Sequence, residues 1–221
     1  LLGTARRHGR IAYPLARPTD LFREISGGTP VVVLLNLGLS WAPRWHYAVV
    51  IGYDPAAEEI ILHSGTTPRM PMDLTLFRRT WARGDYWGIT VLKPGEMPVV
   101  VQQQRYLESV LGLERAGHYS AAAVGYQQAL RYWSDSLIAW MGLGNSRYQL
   151  RQFARAEAAF RGALKRHPKS ANAYNNLAMT LLAKGEIEAA RRAARQAVAL
   201  GGPLVAEYQR TLAEIEAAQA P

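Results

Sequence analysis

Two rhythms of apolar and polar positions divide the chain. Before residue 98 the apolar residues come in short runs. Residues 31–36 (Val-Val-Val-Leu-Leu-Asn) follow the turn-forming Gly27-Gly28-Thr29-Pro30 and read as a buried strand. Residues 45–53 (Trp-His-Tyr-Ala-Val-Val-Ile-Gly-Tyr) form a second. The turn Asp54-Pro55-Ala56-Ala57-Glu58 brings the chain back as a hairpin strand over 59–63. Residues 86–92 predict a fourth strand. A short helix is expected over 20–26, capped by Thr19 or Asp20, since a side-chain oxygen there can accept an orphan N–H of the first turn. Another is expected over 73–83, where Leu74, Phe77 and Trp81 recur at helical spacing. Helices with a small, mostly antiparallel sheet make an α+β domain. Lys93-Pro-Gly-Glu-Met-Pro98 ends it with two prolines.

From about residue 102 the rhythm changes to a repeat of 34. Tyr106, Trp140 and Tyr174 share that spacing. So do Ala122, Ala156 and Ala190, then Tyr126, Phe160 and Ala194, then Ala129, Ala163 and Ala197. The aromatic column reads as packing, and the small residues mark where two helices approach closely. Period and column types are those of the tetratricopeptide repeat, which this part of the chain resembles. One such helical hairpin cannot bury its own apolar face, so neighbours stack into an all-α solenoid. The expected repeats are 103–135, 137–170 (closed by Pro168) and 171–202. Gly201-Gly202-Pro203 then breaks the chain before a capping helix over 204–218. The expected domains are therefore 1–97 and 102–221.

Composition narrows the chemistry. The chain has 221 residues, 49% hydrophobic and 19% charged, which suits packed cores rather than disorder. The longest apolar run, 31–35, suits a strand and is far short of a membrane span. There is no cysteine, and the five histidines (8, 46, 63, 118 and 167) show no paired ligand spacing, so neither metal nor cofactor is expected. The net charge of +9 is compatible with an acidic partner, nucleic acid or a membrane surface, but its spread over both halves of the chain reads first as a solvated, Arg-rich surface. No Lys/Arg cluster is interleaved with aromatics in the way strand-stacking sites require, so nucleic acid is not an expected partner. The opening Leu1-Leu-Gly-Thr-Ala-Arg-Arg7 has no signal-peptide pattern and reads as the interior of a longer chain.

His46 is the residue of the first part that looks chemical: a strand edge can hold its ring against a cleft, although a lone histidine also serves simply as a backbone-bonded side chain. Its surroundings, Gly28-Thr-Pro-Val-Val-Val-Leu34, a loop, then Trp45-His-Tyr-Ala-Val-Val-Ile-Gly-Tyr-Asp54 and a hairpin strand, resemble papain-like peptidases that process bacteriocin leaders at double-glycine sites. The likeness is greatest to bacterial members with C-terminal tetratricopeptide repeats, and it covers residues 3–95. It implies a partial papain-like domain in which His46 is the general base. Ser64 falls where the family has the Asp that orients the base, and Asp54 lies too far along the hairpin. A hydroxyl can accept from an imidazole N–H but stabilises imidazolium less than a carboxylate does. The family's nucleophilic Cys and its oxyanion-hole glutamine would precede residue 1. The chain as given is therefore expected to lack peptidase activity, and the resemblance implies the bacterial cell envelope.

In the second part, tetratricopeptide grooves are lined by the first helix of each repeat. With Trp140 and Tyr174 as position four, repeat two offers Ile138, Met141, Asn145 and Tyr148, and repeat three offers Asn172, Asn175, Asn176 and Met179. Asn145 and Asn176 match positions where related domains hold a peptide backbone or C-terminal carboxylate, and Arg210 could supply charge. An amide donates and accepts, so it can bracket an extended peptide; it can equally satisfy a turn. Met141 stands where carboxylate-binding members carry Lys. The expectation is thus a protein or peptide partner in the repeat groove. The first part is either a peptidase-like domain missing its nucleophile or a non-catalytic binding fold.

Overall fold

The computed structural model describes residues 1–218; the last three positions of the expected repeat domain, 219–221, lie outside the described residues. The chain divides into two compact units between Gly112 and Leu113.

The first unit holds α1 (Leu2–Arg7), β1 (Ile11–Pro14), α2 (Asp20–Ser26), β2 (Val31–Asn36), β3 (Trp45–Asp54), β4 (Glu59–Ser64), β5 (Thr67–Asp73), α3 (Leu74–Ala82) and β6 (Gly88–Leu92). Its six strands form one antiparallel sheet in the order β1-β6-β2-β3-β4-β5. Alternation puts Val31, Val33 and Leu35, then Ala48 and Val50, then Ile60 and Leu62 on one face, against Leu21 and Ile25 of α2 and Phe77 and Trp81 of α3. The Asp73 carboxylate caps α3 by accepting from Leu76 N at 2.7 Å.

Four details depart from the expectations. Strand β1 is an unforeseen edge strand of four residues. Strand β5 is the opposite edge; Pro68 and Pro71 hid it, because proline donates no ladder bond and is tolerated at an edge. The last strand begins at Gly88, not at residue 86: Asp85 and Tyr86 both have φ of 52°, a left-handed turn no strand contains. Thr19 gives α2 no side-chain cap. The buried Asp20 carboxylate turns back instead, accepting from Arg17 N at 3.0 Å and pairing with the Arg17 guanidinium.

Buried Glu24 ties down the segment after β6. Its carboxylate accepts from Val99 N and Val100 N at 3.1 and 2.8 Å. Tyr13 adds to the clasp: its hydroxyl donates to Val100 O and accepts from Gln102 N.

Helix α4 (Gln103–Arg115) runs across the division between the units. Then come α5 (Tyr119–Tyr132), α6 (Leu137–Gln149), α7 (Phe153–Arg166), α8 (Ala171–Ala183), α9 (Ile187–Leu200) and α10 (Val205–Ala217). The 34-residue register governs local structure as well as packing. Ser136 and Ser170 cap α6 and α8, each accepting from the N–H three residues on. The turns inside the hairpins place Gly117, Arg151 and Gly185 at positive φ. The small columns lie at the helix contacts: Ala122, Ala129, Ala156, Ala163, Ala190 and Ala197 are fully buried. Helix α10 closes the stack with buried Tyr208, Thr211 and Ile215.

Candidate functional site

In the sheet unit, the register fixes the neighbourhood of His46. It pairs with Leu35, and Ser64 pairs with Ala48, so alternation sends His46 and Ser64 to the core face of adjacent strands. They meet there: His46 Nε2 lies 2.8 Å from Ser64 Oγ, and both are half-buried. Asp54 is at the far end of β3, paired with Glu59. His63 points to the other face, and its Nδ1 accepts from Arg69 N.

Asn36, which nothing in the sequence singles out, positions the loop before His46. This buried amide accepts from Gly38 N and Arg44 N, each at 2.9 Å. Gly38 is obligatory, since a Cβ would stand 2.3 Å from Ala42 O. The loop presents Leu37, Leu39 and Trp41 to solvent, with Trp41 83% exposed. The imidazole and hydroxyl could pass a proton between them. The chain offers no thiol to receive or give one, because it contains no cysteine.

In the repeats, Asn145 and Asn176 come together across adjacent hairpins. Asn176 Nδ2 donates to Asn145 Oδ1 at 2.9 Å. The pair leaves the Asn145 amide N–H and Asn176 Oδ1 without a protein partner among the described residues. They line a cavity of about 180 Å³ whose other walls are Tyr148, Phe160 and Met179. Tyr148 is held edge-on by Phe153, with ring centroids 5.4 Å apart.

Other candidates fall elsewhere. Asn172 is used in packing, where its Oδ1 accepts from the Tyr208 hydroxyl. Asn175 Oδ1 is buried with no partner among the described residues. Met141 packs against the core of the stack. Arg210 is exposed on α10 and is not among the described residues lining the cavity. Of the aromatic column, Tyr106 is fully buried, whereas Trp140 and Tyr174 are half-buried.

Among the described residues no group of three or more His, Asp or Glu could hold a metal ion, and no helix is long and apolar enough to cross a membrane.

Residues 107–171, 143–199 and 175–219 each match the family model of the tetratricopeptide repeat, together spanning just over half the chain. No curated protein matches the sequence. Among solved structures, the first repeat domain of Spaghetti (RPAP3) bound to the HSP90 peptide SRMEEVD is similar, with a TM-score of 0.50 and 21% identity, covering 55% of this chain and 98% of that one. The type III secretion chaperone SycD of Yersinia enterocolitica, in complex with a peptide of the translocator YopD, has a TM-score of 0.50 and 19% identity over 53% and 94% of the two chains. The TPR2B domain of yeast Sti1 in its Hsp70 complex gives 0.51 and 14% over 53% and 98%. These likenesses concern the fold of the repeats. The papain-like identity expected for residues 3–95 rests on the resemblance alone.

Proposed function

The chain belongs to the tetratricopeptide repeat family, and on that premise we propose that it is a protein-interaction module whose first-helix face binds an extended peptide of a protein partner. The observation that carries this reading is the Asn145–Asn176 pair above its apolar cavity. One amide keeps a donor and the other an acceptor, the complement of a peptide unit, while Tyr148, Phe160 and Met179 offer a side chain an apolar seat. Three structures with the same fold are complexes with a peptide or with Hsp70, which supports the reading. Arg210 is proposed as the charged contact at the next repeat position. Met141 in place of a lysine favours recognition of the peptide backbone over that of a terminal carboxylate.

The test is a panel of fluorescein-labelled peptides, each made with a free and with an amidated C-terminus, titrated with the full chain by fluorescence anisotropy. Hydrogen bonds to a peptide backbone contribute about 0.5–1.5 kcal/mol each. Asn145→Ala with Asn176→Ala should therefore weaken binding about tenfold, with free and amidated forms affected alike. Unchanged affinity in the double variant would place the binding surface elsewhere.

A second reading concerns the sheet unit, and the 2.8 Å His46–Ser64 contact favours it. We propose a papain-like scaffold in which His46 is the base and Ser64 its orienting partner. The 221 residues given contain no thiol and so bind without cleaving, and a longer form carrying the family's Cys upstream would cleave with His46 as base. Any His46-dependent peptide hydrolysis by the purified 221-residue chain would refute it.

A further inference from the structure

The repeats have a second face whose chemistry the peptide groove does not use. On α6, Leu143 and Arg147 each stand two residues from Asn145, about 200° around the helix, and so point away from the asparagine pair. There a crevice of about 590 Å³ opens between α5, α6 and α7. Its apolar wall is Trp140, Leu143 and Ala159, and its polar end is Gln127, Arg147 and Arg155.

The two guanidiniums are held together by neutral groups alone. Arg147 Nη1 donates to Gln152 Oε1 at 2.7 Å, and Arg155 Nη1 reaches the same oxygen at 3.5 Å. Arg147 Nη2 donates to Gln127 Oε1 at 3.2 Å. Among the described residues no carboxylate pairs with either. Glu157, the carboxylate of α7, is already engaged by Arg161 and Lys184. Burial, and then the neighbouring charge of Arg155, loosen the Arg147 proton. Two like charges converge on one uncharged acceptor, an arrangement that a carboxylate would relieve by accepting from both forks.

The crevice is a product of the repeat. One repeat on, Arg161, Tyr174, Leu177 and Ala193 stand at the positions of Gln127, Trp140, Leu143 and Ala159, and line a cavity of about 340 Å³. That second crevice carries Arg161, already paired with Glu157, and Arg192, for which no carboxylate partner exists among the described residues. The apolar wall thus recurs, whereas Leu181 and Ala189 stand in the second crevice where Arg147 and Arg155 stand in the first, so the arginine pair distinguishes the first of the two.

We infer that the Arg147–Arg155 crevice binds an acidic segment of a protein partner, with a glutamate or aspartate carboxylate between the two guanidiniums and an apolar side chain against Trp140 and Leu143. The cavity is many times larger than a bare oxyanion, and its apolar wall suits a side chain. The net charge of +9 draws such a segment in. The inference does not rest on the groove reading, because the two surfaces share no residue.

The experiment titrates the full chain into a fluorescein-labelled, C-terminally amidated octapeptide of alternating Glu and Leu, at low salt, by fluorescence anisotropy. Charge-assisted bonds are the strong ones, so Arg147→Gln and Arg155→Gln should each weaken binding about tenfold. Arg155 is exposed, so its variant reads the site without risk to the fold; circular dichroism checks Arg147→Gln. Lys169→Gln, an exposed charge outside the crevice, should stay within about twofold of wild type. Unchanged affinity in Arg155→Gln overturns the inference. So does an equal loss in Lys169→Gln, which would mean diffuse attraction, or a loss confined to the Asn145→Ala/Asn176→Ala double variant, which would place the peptide in the groove. Inorganic phosphate that competes as well as the unlabelled peptide would also overturn it, by making the crevice a simple oxyanion site.

Discussion

The ring of Phe160 lies directly against the backbone of Gly144: a Cβ at that position would stand 2.4 Å from Phe160 Cε1. Phe160 is itself buried, so its ring must shift within the packed hairpins to make way. Alanine has the higher helix propensity, worth about 1 kcal/mol over glycine. Overpacking a filled contact costs about 1–3 kcal/mol in the other direction. Gly144→Ala should therefore destabilise the repeats by a net of up to about 2 kcal/mol, read as a lower midpoint in urea unfolding. A midpoint at or above wild type would show that the two helices can separate at no cost.

Arg151 is the one hairpin turn residue of its column that is not glycine, and it sits at φ 57° where Gly117 and Gly185 stand in the flanking repeats. The left-handed conformation costs an L-residue roughly 1–2 kcal/mol, and glycine's greater freedom in the unfolded chain returns part of that. Arg151→Gly is expected to raise stability by about 0.5–1 kcal/mol. Gly185→Ala should lower it by a similar amount. Thermal unfolding of both variants tests the pair, and a shift of the same sign in both would contradict the assignment.

Two glutamates should tilt the pH profile in opposite senses. The Lys184 ammonium, 2.5 Å from the Glu157 carboxylate, holds that group below the usual glutamate range, with Arg161 assisting. Its stabilisation is full above the ordinary value of about 4.3 and is lost as pH falls through the lowered one. Burial pushes Glu114 upward, only partly offset by the bond from the Tyr126 hydroxyl at 2.8 Å. Glu114 therefore favours the fold most when protonated, and its contribution is lost as pH rises from the ordinary value through the raised one. Chemical denaturation across pH should show Glu157→Gln flattening the acid limb. Glu114→Gln should gain stability relative to wild type as pH rises. Parallel curves for wild type and either variant would refute that residue's role.

Glu24 governs how the segment after β6 is held. Glu24→Ala leaves Val99 N and Val100 N without their acceptor and should cost about 2–4 kcal/mol. The sequence alone suggests a cleavable boundary between residues 93 and 104, and we retain 1–97 and 102–221 as proposed domain limits. Limited proteolysis mapped by mass spectrometry should then find this boundary slow to cut in the wild type and fast in Glu24→Ala. Equal rates would mean that the clasp does not protect it.

Much of the solenoid was legible because its signal is redundant: one period sets the aromatic column and the small-residue columns together, whereas the serine caps on the same spacing were not read. The Asn145–Asn176 contact was legible in part, since the register names the positions but not the bond between them. In the sheet unit, β2 to β4 were readable from their apolar runs. Strand β5 was not, because its pairing depends on being an edge, a tertiary fact that local propensity does not record. The anchoring role of Asn36 and the clasp by Glu24 were illegible for the same reason, as both act on backbone distant in sequence or hidden in a loop. The arginine crevice escaped notice because none of its residues is unusual alone. What sets it apart is the absence of a neighbouring carboxylate among the described residues, which only three dimensions reveal.

The two margins of the sheet have a consequence for what the first unit can capture. At one margin β1 is four residues long and finishes in Pro14; at the other, β5 carries Pro68 and Pro71. A foreign strand seeking to join the ladder meets missing donors on both flanks, so fibril-like growth and capture of a partner by strand addition are disfavoured together. Any polypeptide engaged by this unit must be held through side chains on its surface, where the loop with Trp41 already faces water.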